Sequence, residues 1–200
     1  MKKSHIIWGV CGLLVLFLIF AVPNAYNKAV KLQEDVKAEW ADVQATYQRR
    51  ADLIPNLVST VKGYADHEEN VLVAVTEARA KATSMNIDAS NLNAENLKKF
   101  QDAQAGLSSA LSRLLVTVEK YPDLKANQNF LELQAQLEGT ENRIAVAREN
   151  FNAATKSYNT HLRRFPAKIF IGWMADDGEF EAMQGFEAEA SSAKAPEVKF

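Results

Sequence analysis

Cysteine is almost missing from this sequence. Cys11 is the only one among 200 residues, so no internal disulfide can form. With Val10 before it and apolar residues mostly after it, it also lacks the setting of a lipid-attachment cysteine. Proline and glycine are scarce, at 5 and 8, too few for a turn-rich all-β fold. Neither sign of charge dominates: the net charge of −2 gives no electrostatic reason to expect nucleic acid as a partner. His5, His67 and His161 are the only histidines, and two or three isolated imidazoles do not make a metal site without further ligands. The string His67-Glu68-Glu69-Asn70-Val71 begins like a zinc-protease motif but lacks its second histidine. No glycine-rich phosphate loop and no Gly-x-Ser-x-Gly elbow occur. These gaps leave no catalytic constellation, and no metal or cofactor is expected; the chain reads as a non-enzyme.

What is present is apolar and helix-favouring. Hydrophobic residues make up 48%, and Ala, Leu, Glu, Gln and Lys fill the middle of the chain. Lys2 and Lys3 precede an uncharged apolar run from Ile6 to Val22. As a helix this run spans roughly 25 Å at ~1.5 Å per residue, the lower limit for crossing a bilayer. A cleaved signal peptide would need a small-x-small site; around Ala25 the corresponding position is Pro23. A retained single-pass anchor in the cytoplasmic membrane is therefore expected. Lys28, Lys31 and Lys37 beyond the span are mixed with Glu34, Asp35 and Glu39, so the basic start sets the orientation: N-terminus in the cytosol, the rest extracytoplasmic.

The remainder carries apolar stripes at alternating spacings of three and four. A first helix is expected over 24–50, with Leu32, Val36, Trp40, Val43 and Tyr47 on its stripe. A second is expected over 53–85, opened by Asp52 as N-cap with Pro55 in its first turn. Met85 to Asn93 is rich in Asn, Asp and Ser and reads as a loop. A third is expected over 94–121, with Leu97, Phe100, Gln104, Leu107, Leu111, Leu114 and Val118. Pro122 ends it and opens a fourth, reaching Arg164 with Phe130, Leu137, Ile144, Phe151 and Tyr158 on its stripe. The fold class that follows is all-α: an N-terminal transmembrane helix, then an antiparallel up-and-down four-helix bundle with coiled-coil-like packing. The first two stripes share one phase, so a single long helix kinked at Pro55 is the rival arrangement. The domains are a short cytosolic N-terminus (1–5), the anchor (6–22), the bundle (24–164), and an apolar segment with a weakly ordered tail (165–200) in which Phe180 or Phe186 docks on the bundle or on a neighbouring subunit.

Four antiparallel helices return the chain to the membrane end. There Ile169 to Met174 follow Arg163, Arg164 and Lys168. This segment either rests at the membrane interface through Lys168, Phe170 and Trp173 or caps the open end of the bundle. Elsewhere, charges crowd the stripes at Arg49, Arg50, Asp52, Glu68, Glu138, Glu141 and Arg143. They form either a polar site between helices or a set of ion pairs and caps that fix register; buried charges must pair in both cases.

Two blocks of motifs point to a family. The first is Gln48-Arg49-Arg50-Ala51-Asp52-Leu53-Ile54-Pro55-Asn56-Leu57-Val58, followed by Thr60-Val61-Lys62-Gly63-Tyr64-Ala65, His67-Glu68 and Ala78-Arg79. The second is Tyr121-Pro122-Asp123-Leu124-Lys125-Ala126-Asn127, then Leu137-Glu138-Gly139-Thr140-Glu141-Asn142-Arg143-Ile144-Ala145, and finally Phe151-Asn152, Tyr158-Asn159 and Phe165-Pro166. On these strings the chain resembles the LemA family of bacterial membrane proteins over nearly its whole length, with small departures at Phe151 and the Ile169–Met174 stretch that touch only packing. The resemblance implies an N-terminal anchor and a four-helix bundle, supplies no catalytic residues, and implies an envelope membrane protein, of the metalloprotease kind, as partner. The expected function is an assembly or interaction module touching the lipid bilayer and forming a homo-oligomer. The alternative is a ligand-sensing bundle that signals through a partner membrane protein.

Overall fold

A computed structural model describes residues 2–65, 68–89 and 92–187, with side chains from residue 5 onward. Six helices, α1 (Lys2–Lys62), α2 (Glu69–Ser84), α3 (Ala94–Val118), α4 (Pro122–Lys125), α5 (Gln128–Arg163) and α6 (Ala167–Met174), carry the fold. No strand occurs among the described residues, and the chain is all-α as expected.

The expected break near residues 50–53 does not exist. α1 runs without interruption from the apolar start through Pro23 and Pro55 to Lys62, as in the rival one-helix arrangement. The heptad phase explains this: Val36, Trp40, Val43, Tyr47, Arg50, Ile54, Leu57 and Val61 are all buried along one line. A proline inside a helix leaves the carbonyl four residues earlier without its N–H donor. For Pro55 that carbonyl is Ala51, and Arg79 of α2 reaches across to donate Nε–H to it at 2.7 Å. Asp52 is consequently not an N-cap; it lies mid-helix and accepts from Gln48 Nε2 at 2.7 Å. The second expected helix is divided instead at Gly63, so residues 53–62 belong to α1.

The later boundaries also shift. Pro122 opens only the single turn of α4, and α5 starts afresh, capped by Asn127, whose Oδ1 accepts from Phe130 N at 3.1 Å. Asn93 caps α3 in the same way through Asn96 N, at 2.8 Å. α5 lies antiparallel to α1, since Arg50 meets Glu141 and Trp40 meets Phe151. α2 lies antiparallel to α3, with Glu68 near Tyr121 and Ala82 near Gln104. α5 therefore ends where the apolar run of α1 ends: His161 Nε2 lies 2.9 Å from the carbonyl of Ala25. α6 packs beside it on Ala25 and Ala29.

Buried side chains fall into three groups along this rod. One holds Ile54, Leu57, Val61, Leu107, Leu114, Val118 and Leu137. A second, nearer the N-terminal run, holds Trp40, Tyr47, Phe100, Phe151, Tyr158 and Phe186. The third is the small α1–α6 contact.

Candidate functional site

The first two groups are separated by one polar layer. Arg50 occupies a heptad core position of α1 and is 1% exposed. Its Nη1 donates to Glu141 Oε1 of α5 at 2.7 Å and to Ser108 Oγ of α3 at 2.9 Å. Its Nη2 donates to the side chain of Gln104 at 2.7 Å and to its carbonyl at 3.3 Å. Gln104 Nε2 in turn donates to the carbonyl of Ala82 on α2, at 3.4 Å. The guanidinium thus ties α1 to α3 and α5, and Gln104 extends the link to α2. Tyr47 lies against it, with the guanidinium carbon 5.0 Å from the ring centroid. Of the guanidinium N–H groups only Nε–H finds no partner among the described residues. The charge is buried on one side only, because the Glu141 side chain is 49% exposed.

The other charges expected here do not join the layer. Arg49 and Arg143 are exposed and face a separate shallow groove between α1 and α5. Glu138 is exposed and accepts from Gln134 Nε2 at 3.1 Å along its own helix. Glu68 precedes α2 and accepts from the Tyr121 hydroxyl at 3.2 Å. Burial, then the Glu68 charge, holds that phenol above its ordinary pKa. Gln104 and Ser108 were not singled out from the sequence. Gln104 had a signal: it is the lone amide on the otherwise apolar stripe of α3. A cleft of about 360 Å³ opens beside the layer, lined by Arg50, Gln104, Ser108, Glu141, Lys98 and Arg148. His67 lies outside the described residues, and among the described ones no cluster of metal-ligating side chains forms.

A second construction lies closer to the N-terminal run. Residues 176–187 leave α6 and strap the α1–α5 seam. Asn159 pairs with both backbone groups of Met183, at 3.0 and 2.8 Å. Asn152 does the same to Phe186, at 2.7 and 3.2 Å. The register follows from geometry: seven helical residues rise ~10.5 Å, and three extended residues span ~10 Å. Gly185 is needed there, because a Cβ would sit 2.7 Å from Asn152 Oδ1. Phe186 then inserts beside Trp40 and Phe151, under the guanidinium of Arg148. Phe180 docks as well, edge-on to Tyr26. The Tyr26 hydroxyl donates to Glu179 at 2.5 Å, a bond that raises its pKa. Burial pushes the Tyr158 phenol up to about 12. The tail beyond Glu187 lies outside the described residues.

Where the chain returns to the apolar run of α1, Phe170 turns inward onto α1 and is buried, while Lys168 and Trp173 are exposed.

Comparison with known proteins adds the following. The LemA family model matches residues 39–200. Magnetosome protein MamQ 2 of Paramagnetospirillum magneticum is 26% identical over 179 residues, covering 81% of this chain and 66% of that protein. Magnetosome protein MamQ of Magnetospirillum gryphiswaldense is 27% identical over 158 residues, covering 70% of this chain and 58% of that protein. Protein LemA of Metamycoplasma hominis is 25% identical over 158 residues, covering 76% of this chain and 68% of that protein. The chain thus spans less than two thirds of the length of the MamQ proteins it matches.

Proposed function

Because the chain belongs to the LemA family, we propose that it is a single-pass, membrane-anchored assembly module of the bacterial envelope. In this reading residues 6–22 cross the cytoplasmic membrane with the N-terminus inside. α1, α2, α3 and α5 then form an up-and-down four-helix bundle on the extracytoplasmic side, working through contacts and without catalysis. The observation that supports it is the continuity of α1. Its N-terminal run is apolar enough and long enough to span a bilayer, and apart from partial cover of Leu18, Ala21 and Val22 its described side chains are exposed. The same helix, with no intervening loop, supplies the central stripe of the core. A rigid connection of this kind suits a module that must hold a defined position relative to the membrane. It suits a flexible tether poorly. Two of the relatives are named for a magnetosome and none for a reaction, which fits a role in assembly.

Self-association is the expected mode of action, since an anchor concentrates bundles in two dimensions. Mass photometry of the detergent-purified full chain should show particles larger than one chain per micelle; monomers at every concentration would sink the assembly reading. The cleft beside Arg50 supports a second reading, a ligand-sensing bundle that passes its signal to a partner membrane protein. Against it stands the engagement of all four Nη–H directions of Arg50 within the chain. Small anions that raise the unfolding temperature of the wild type but not of Arg50→Met would favour sensing.

A further inference from the structure

α6 is apolar on nearly every side: Lys168 is the only charged residue in Ala167–Met174. One face is accounted for. Ala167, Phe170 and Ile171 pack on Ala25 and Ala29 of α1, with Leu18, Ala21 and Val22 adjoining. Small residues at 21, 25 and 29 recur every four positions and so share one face of α1. The other face of α6 is left to the surroundings. Trp173 is 64% exposed there, Ile169 and Met174 are exposed, and Phe165 just before the helix is 76% exposed. A helix hydrophobic all round is ordinarily buried in a large core or in lipid, and within this chain α6 is buried on one face only.

We propose that Phe165, Ile169, Trp173 and Met174 form a foot that beds the base of the bundle into the bilayer interface around the exit of α1. The proposal rests on residues 6–22 being a membrane anchor. Three observations commit the surface to lipid. First, its place: α6 lies against residues 18–29, level with the end of the apolar run, so its outer face continues the unburied apolar surface of α1. Second, its rim: Arg163, Arg164 and Lys168 are all exposed beside the apolar residues. Indole and basic side chains together favour the headgroup level and anionic phospholipids. Third, its length: the apolar run alone reaches ~25 Å against a hydrocarbon core of ~30 Å. A second apolar element at the outer end relieves that shortfall.

The test uses the full chain in nanodiscs of phosphatidylethanolamine and phosphatidylglycerol, with Cys11→Ser removing the native thiol. Single spin labels are placed at Leu13→Cys in the anchor, Ile169→Cys and Met174→Cys in the foot, and Val146→Cys, an exposed apolar site on α5. Collision with oxygen, which partitions into lipid, is compared with collision with a water-soluble nickel chelate. The oxygen-to-nickel ratio at 169 and 174 should be several-fold above that at 146 and approach that at 13. Ratios at 169 and 174 equal to that at 146, with 13 lipid-like, would overturn the foot and leave the anchor standing. A water-like ratio at 13 would overturn both. Labels at 169 and 174 shielded from both reagents would show a protein, such as a second copy, on this surface and overturn its assignment to lipid.

Discussion

Distal to the Arg50 layer the core is aliphatic, with Phe130 the only ring among its buried members; on the side of the layer nearer the N-terminal apolar run six of the thirteen buried residues are aromatic. The difference follows from how many helices surround each level. In the distal half Leu, Ile and Val of α1, α2, α3 and α5 pack into one cluster of buried side chains. In the proximal half α2 has ended at Ser84. Beyond its end Ile87, Leu92 and, from the strap, Phe186 complete the core. Rings fill this level, and the polar edge of one holds the irregular backbone. Trp40 Nε1 donates to the Ile87 carbonyl at 2.9 Å, and Gln44 Nε2 bonds the same carbonyl at 3.0 Å. The lesson is that one rod carries two kinds of core: a self-sufficient helical one, and one that depends on segments without regular structure.

The strongest test of this contrast replaces the central residue of each half. Trp40→Ala should destabilise the full chain by about 4 kcal/mol and Leu114→Ala by about 3 kcal/mol, in line with large-to-small changes at buried sites. Urea unfolding in detergent micelles would measure both. The discriminating readout is hydrogen exchange. Trp40→Ala should deprotect residues 85–89 and 183–187, whereas Leu114→Ala should deprotect only its helical surroundings. Equal patterns for the two variants would erase the distinction between the halves.

The layer between them allows a second test of intermediate size. Glu141→Ala leaves the buried Arg50 charge without its counter-ion. Losing one partner of a fully buried pair costs ~3–5 kcal/mol; because Glu141 is half exposed and water can take its place, the lower end, about 3 kcal/mol, is expected. Arg50→Met with Gln104→Leu removes both buried polar groups instead. It should stay within about 1 kcal/mol of wild type, as apolar replacements of buried ion pairs do. If the layer fixes register, the double variant should unfold less cooperatively or populate new oligomers despite its stability. Wild-type cooperativity and assembly in the double variant would remove that role.

The stripes were legible because a heptad repeat is a property of the sequence alone, and Arg50 was legible as a charge in phase with one of them. The continuity of α1 through residues 50–53 was masked by local signals. Asp52 and Pro55 read as cap and first turn, and what overrides them is Arg79, a donor 28 positions on. The break before α5 was hidden because Pro122 reads as the opening residue of one long helix, while the cap that restarts it is Asn127. Gln104 passed as core since its neighbours are apolar. α6 could not be oriented from its sequence at all. With apolar residues all round, no face is chosen until Ala25 and Ala29 offer a surface flat enough to take Phe170.

The smallest predicted effect concerns the Arg79 contact itself, which belongs to the distal half because only there does α2 accompany α1. Arg79→Ala leaves the carbonyl of Ala51, a residue only 2% exposed, without a donor, and an orphaned buried acceptor costs ~1–3 kcal/mol. In a Pro55→Ala background the restored N–H at position 55 can bond Ala51 within the helix, so the same change should cost markedly less. A double-mutant cycle should therefore show coupling of about 1 kcal/mol, with strap exchange unaffected. Strict additivity would mean that α1 tolerates Pro55 by another route, such as water reaching Ala51. The continuity of α1 would then not depend on α2, and the two halves would be less distinct in what holds them straight than their side chains suggest.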